Sequence, residues 1–151
     1  MSRLRKKLER GQATLVFGML LITLLAVFAW VLFDLGRLGL GVVRARNVLD
    51  LAAYSAANHI DQPNFNRTQH LILDPSAADS FRHAVEANSR LGEGMTLTVN
   101  HVEFLDNRGY MRVVATVRIP LGSISMFGIG KAEQQITTVV EPRYGLQNVY
   151  D

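Results

Sequence analysis

The sequence predicts an α+β protein: a long N-terminal transmembrane helix extending as a stalk, followed by a small domain of one helix on a three-stranded antiparallel sheet. Three observations predict it. An uncharged apolar run from Ala13 to Phe33 follows a basic segment. Beyond that run Leu49, Ala52, Ala53, Ala56 and Ile60 keep the spacing of one helical stripe. From Met95 onward the apolar period changes to two. The implied division is a basic leader at 1–11, a transmembrane and stalk helix at 12–60, and an extracytoplasmic α+β domain at 61–151.

The chain of 151 residues allows one modest domain plus an anchor. Its formal charge of +3 is unevenly placed. Arg3, Arg5, Lys6, Lys7 and Arg10 precede the apolar run, opposed there by Glu9, which leaves the rest close to neutral. Beside a membrane span such a cluster marks the cytoplasmic side. Elsewhere no basic face with interleaved aromatics speaks for nucleic acid. With no cysteine in the sequence, disulfides, thiolate metal sites and cysteine nucleophiles are excluded.

At 1.5 Å per residue, Ala13 to Phe33 covers roughly 30 Å, the thickness of a bilayer core. A cleaved secretory signal has a shorter apolar core and a small-x-small cut site. Here the run is too long and ends in Phe33-Asp34-Leu35-Gly36-Arg37. Asp34 and Arg37, three apart, are expected to pair on one helix face and stop the span. Gly36, Gly39 and Gly41 weaken the helix beyond, each by about 1 kcal/mol relative to alanine, and mark either a bend or a seam. A helix unbroken to Ile60 is a stalk whose apolar stripe needs neighbours or its own domain to cover it.

Asp61 to Leu73 reads as a loop. Asp74 is expected to cap a helix with Pro75 at its first position; Ala78, Phe81 and Val85 form its stripe, and Gly92 and Gly94 end it. Met95, Leu97 and Val99 alternate with threonines, whereas Val102 and Phe104 continue out of phase, which requires a bulge near Asn100-His101. Asp106 to Gly109 is a turn. Met111 to Ile119 form a second strand closed by Pro120, and Ile136, Thr138 and Val140 a third, ended by Pro142. The connection from Leu121 to Lys131 holds Ile124, Met126, Phe127 and Ile129 among glycines. It is expected to fold back on the core, the alternatives being the membrane or a partner.

No catalytic pattern emerges. His59, His70, His83 and His101 have no metal-like spacing to carboxylates. His83 and Glu86 read as a solvated helix pair. Ser123 and Ser125 lack a nucleophile context, and Gly128-Ile129-Gly130-Lys131 lacks a full phosphate-loop pattern. The reading is of a protein that is not an enzyme, without cofactor or metal.

Three segments together resemble the TadE/TadG-like pilus-assembly proteins of the Tad (Flp) system: Arg10-Gly11-Gln12-Ala13 before the span, Phe33-Asp34-Leu35-Gly36-Arg37 at its end, and Asn47-Val48-Leu49-Asp50-Leu51-Ala52-Ala53 on the helix beyond. Gly11 to Phe17 also resembles the processing site of type IVb prepilins. The resemblance implies a pilin-like fold and a minor pilin or pseudopilin, single-pass in the inner membrane, with its N-terminus cytoplasmic and its domain outside or in the pilus. A prepilin peptidase would cut after Gly11, leaving Gln12 as the new N-terminus. Other pilin or pseudopilin subunits would then pack against the assembly helix, which includes Val16, Phe17, Asp34, Gly36 and Arg37. Val16 departs from the family, whose members commonly carry a glutamate there to meet a neighbour's terminal amine. A valine fits either a subunit at the tip or start of assembly, or one that is neither polymerised nor cleaved. The alternatives from other classes are an unprocessed single-span periplasmic scaffold or binding module, and a membrane-tethered enzyme with a hidden acid–base pair.

Overall fold

The computed structural model describes residues 2–92, 94–122, 125 and 128–143, with side chains from residue 12 onward. Three helices and three strands follow in order: α1 (Ser2–Ala57), α2 (Gln62–Thr68), α3 (Ala77–Asn88), β1 (Thr96–Leu105), β2 (Tyr110–Pro120) and β3 (Lys131–Val140). The strands form one antiparallel sheet in the order β1-β2-β3. The α+β architecture, with a long apolar N-terminal helix ahead of a small sheet domain, is the one the patterning predicts.

Helix α1 runs for 56 residues, about 84 Å at the standard rise. Its hydrogen-bonded path continues through Gly36, Gly39 and Gly41 without a break. Gly41 is the seam of the two alternatives: a Cβ there would lie 2.6 Å from Ile119 Cδ1 and 3.3 Å from Met95 Sδ. Gly36 and Gly39 face open space.

The two halves of α1 meet different surroundings. Leu15, Val16, Phe17, Met19, Ile22, Phe28 and Phe33 are all exposed. Ala45, Leu49, Ala52 and Ala56, spaced by four, three and four residues, are completely buried. Their small side chains let α3 and the β2–β3 part of the sheet approach closely. Two helices, rather than α3 alone, therefore cover the apolar face: distal α1 lies against β2 and β3, and α3 packs beside it, reaching β1, with Met111, Val113, Ala115, Val117 and Ile119 of β2 and Ile136 and Val140 of β3 in the same buried cluster. Phe81 of α3, fully buried, fills the space between them. The stalk stripe is thus covered by the chain's own domain.

The bulge stands where the phase change requires it. Val99 pairs with Ala115 and His101 with Val114, which leaves Asn100 as the extra residue. Leu97 and Val99 before it, and Val102 and Phe104 after it, all pack on the same core. The Asn100 side-chain amide turns outward to Thr116 Oγ1 at 2.6 Å.

Four local expectations are corrected. The segment from Asp61 to Leu73 is not wholly loop, because it contains α2. The Asp61 carboxylate accepts from the Asn64 amide at 3.0 Å, Pro63 sits in the first turn, and Gln69 ends the helix in the left-handed region at φ 60°. Asp74 and Pro75 form a turn ahead of α3 rather than its first residues: the Ser76 amide donates to Asp74 Oδ1 at 2.8 Å, and the helix begins at Ala77. That helix ends at Asn88, several residues before the glycines, because Gly92 (φ 134°) and Gly94 (φ 70°) instead shape the turn into β1. Strand β3 starts at Lys131, ahead of its apolar residues, because it forms an edge whose first half is exposed and polar.

The β1–β2 turn locks this periphery. Asp106, Asn107 and Arg108 all have positive φ, which Asp and Asn tolerate better than Arg. Arg108 is held there from two sides. Its carbonyl accepts from the Leu73 amide at 2.9 Å, and its guanidinium lies 3.1 Å from the Asp61 carboxylate.

Two predictions follow from this packing. Gly39→Ala, in open space, should stabilise the full chain in detergent by up to about 1 kcal/mol. Gly41→Leu should destabilise it by about 1–3 kcal/mol by overpacking Ile119; chemical denaturation reads both. The second concerns acid. Hydrogen bonds from the Ser76 side chain and amide, aided by Arg108 and His59, hold the Asp74 carboxyl below its usual range. Its contribution is therefore complete above the unfolded-state value of about 3.9 and is lost as pH falls through the lower folded value. Asp74→Ala should flatten that part of the acid-denaturation curve and leave the neutral-to-alkaline limb unchanged in shape.

Candidate functional site

The residues expected to carry function lie on α1, so the site is a helix face and its boundary rather than a pocket. The segment Gln12–Ala57 is the one described helix long and apolar enough to cross a membrane. In water each exposed Leu, Ile, Val or Phe forgoes about 1.5–3 kcal/mol relative to burial. A run of them such as this requires lipid or other helices.

Gly11 lies within the helical backbone, while its surroundings fall outside the described side chains. Gln12 follows, exposed. Val16 and Phe17 are 64% and 68% exposed, in the bare half of the helix. They are not brought near Asp34, Gly36 or Arg37, which lie some five turns further along. At that end Gly36 faces open space and Arg37 is half-buried.

The expected pairing of Asp34 with Arg37 is corrected. Among the described residues no ion pair joins them. Asp34 instead shares the buried face with Gly41, Ala45 and Leu49 and is 1% exposed. The Gly122 amide, at the end of β2, donates to Asp34 Oδ1 at 3.2 Å. A carboxylate so enclosed is tolerable only when its oxygens accept hydrogen bonds. The sequence pairs Asp34 with Arg37 as a stop to the span because its actual partner lies 88 positions away. The missed signal was angular: Asp34 falls on the same helical face as Gly41, Ala45 and Ala52.

The polar residues of the head form local structure. His83 and Glu86 lie 3.9 Å apart, both largely in solvent. Ser125 donates its hydroxyl to the Gly122 carbonyl; Ser123 and Ile124, with Met126 and Phe127, lie outside the described residues. The Glu133 carboxyl is lowered by Lys131 first and then Arg118, its neighbours on the sheet. Among the described residues no group of three His, Asp or Glu side chains is placed to hold a metal. Shallow grooves run between α1 and β3, one lined by Leu38, Val42 and Ile119, another by Asp50, Tyr54 and Val139.

The Asp34 contact makes a prediction. Asp34→Leu should speed deuterium exchange at the Gly122 amide by removing its acceptor, a hydrogen bond worth about 0.5–1.5 kcal/mol. Asp34→Asn, which keeps an acceptor oxygen, should change exchange far less.

No curated protein and no solved structure matches the chain. Residues 11–59 match the family model named Tad, described as Flp pilus-assembly TadE/G-like. The match opens at Gly11 and closes two residues past the end of α1, so the anchor helix, its Asp34 boundary and its alanine stripe are together similar to the TadE/G-like segment of pilus-assembly proteins.

Proposed function

We propose that this protein is a non-enzymatic, minor pilin- or pseudopilin-like component of a Tad (Flp) type pilus or related secretion machine. It is held in the inner membrane by one pass of α1, with the N-terminus cytoplasmic and the head on the outer side. The observation that carries the reading is the coincidence of the TadE/G-like match with one continuous helix. The near half of that helix is bare and apolar, and its far half is built into a folded head.

The physical logic is an exchange of surroundings. The bare half is equally compatible with lipid and with a bundle of like helices, because neither contact exposes apolar surface to water. The basic leader favours retention at the cytoplasmic face. A prepilin peptidase that cuts after Gly11 removes that hold and leaves Gln12 as the first residue. Gly11 helps such a cut, because it lowers the cost of unwinding the helix locally by about 1 kcal/mol relative to alanine. The other subunits of the assembly are the partners of the exposed helix.

A specific observation favours a second reading, the permanently anchored scaffold. Val16 supplies no carboxylate to receive a neighbour's amine. Valine avoids the several kcal/mol that an unpaired acid costs in lipid, and it leaves the helix well suited to staying where it is.

Intact mass of the protein extracted from membranes separates the two. Loss of residues 1–11 is expected for the pilin-like subunit, and a full-length mass would establish the scaffold. Gly11→Leu should block the loss of those residues without preventing membrane insertion. In the processed protein Val16→Glu should raise incorporation into pili, measured in sheared fractions; incorporation equal to that of the native chain would remove the tip or initiating role.

A further inference from the structure

The order of contacts along α1 fixes which end of the head faces the apolar run. Thr138, Val139 and Val140 of β3 line a groove with Asp50, Tyr54 and Ala57, whereas Ala132, Glu133 and Gln134 lie beside Leu38, Gly39 and Val42. Ile119 near the end of β2 abuts Gly41. Helix α3 descends on the other side: the Ser55 and Ser80 hydroxyls are 3.1 Å apart, and past the helix end the Leu91 carbonyl accepts from Arg44 Nη1 at 2.8 Å. The base of the head is therefore made of the end of β2, the start of β3 and the residues that follow α3.

Cations collect at this base. Arg37, Arg44, Arg90, Arg118 and Lys131 lie there; Arg37 is half-buried and the others are exposed. Among the described residues the exposed acid at this level is Glu133, held by Arg118 at 2.8 Å and Lys131 at 3.4 Å; the sequence adds Glu93. Asp34 is buried and engaged with Gly122. Neither Arg37 nor Arg90 is in an ion pair among the described residues. At the opposite end Arg108 stands among Asp61, Asp74 and Asp106, so the balance of charge reverses from base to tip. The level suits the charge. Arg37 lies roughly 6 Å beyond Phe33 along the helix, within the roughly 5–8 Å of headgroup that borders the hydrocarbon. Lys131 precedes the residues set beside Leu38 to Val42, which lie roughly 8–14 Å beyond Phe33, and a long cationic side chain can lean from there towards the membrane. Arg37 shares the α3 flank of the helix with Arg44, seven residues on, while Lys131 stands on the β3 flank.

We infer that the base of the head, through Arg37, Arg90 and Lys131, is a binding surface for anionic phospholipid headgroups in the leaflet on the head's side. The inference rests on the crossing of the bilayer by α1. Acidic lipids attract each lysine or arginine near the surface, and the attraction fades over about 8 Å at physiological ionic strength, so the base feels it and the tip does not. With cations on both flanks of one continuous helix, the contact opposes tilting of the head to either side.

The test places the full chain in phosphatidylcholine vesicles with a trace of phosphatidylglycerol or phosphatidylcholine spin-labelled near the end of one acyl chain. The motionally restricted fraction of each label reads which lipid the protein holds. The native chain should hold phosphatidylglycerol several-fold over phosphatidylcholine, in part through its basic leader. The variant Arg37→Gln, Arg90→Gln, Lys131→Gln should lose at least half of that preference, whereas Arg37→Lys with Arg90→Lys should keep it. Arg67→Gln, Arg82→Gln, Arg143→Gln removes the same charge from exposed positions away from the base and should keep it too. An unchanged preference in the first variant would overturn the inference, since the base would then hold no lipid. An equal loss in the third would overturn it as well, since net charge would be the cause, and a loss in the lysine variant would mark damage to the fold in place of lost charge. The absence of cysteine allows the crossing to be read separately. A nitroxide on Leu25→Cys that collides freely with a water-soluble nickel chelate would overturn the crossing and the inference with it. A sheltered label at 25, with no difference between the native chain and the first variant, would remove only the headgroup contact.

Discussion

Close packing of the alanine stripe of α1 against the sheet is the constraint on which the molecule depends. Ala45, Ala52 and Ala56 bury little area each, and their value lies in the approach they permit. With larger residues there, the sheet would stand away from the helix, and Leu49, Phe81 and the β2 side chains would lose their shared interior. The head has no separate foundation: a helix that begins bare and apolar ends as a core element of the head.

That arrangement makes the anchor and the head mechanically one piece. A flexible linker would let the head sample any orientation, but here the same hydrogen-bonded helix passes through the boundary at Asp34. The Gly41–Ile119 seam and the Asp34–Gly122 hydrogen bond then tie the lower edge of the sheet to the helix as it leaves the apolar run. For a subunit assembled through its helix, a fixed head means that helix packing dictates where neighbouring heads stand.

Stabilisation of the periphery follows a different logic. The excursion that carries α2 has little buried surface, and none of the α2 residues is buried. Polar contacts hold it: the Asp61 cap, the Ile60–Leu73 bridge and Arg108, whose side chain and carbonyl reach both Asp61 and Leu73. Arg108 thereby sustains a left-handed backbone that its own side chain disfavours.

Periodicity determined a good deal by itself. The bare apolar run, the helical stripe from Leu49 to Ala56, the three strands and even the bulge at Asn100 were legible, because each is a local repeat whose period matches one backbone geometry. The resemblance around Gly11, Asp34 and Asn47 was legible for the same reason, being contiguous sequence. Tertiary structure decided the rest. It chose a seam over a bend at Gly41, because Ile119 lies across from it. It turned Asp34 from a stop residue paired with Arg37 into a buried acceptor, and it took Asp74 out of the helix and into the turn before it. None of these is a property of a short segment: each depends on which distant group arrives to satisfy a hydrogen bond or fill a space, and spacing along the chain carries no record of that.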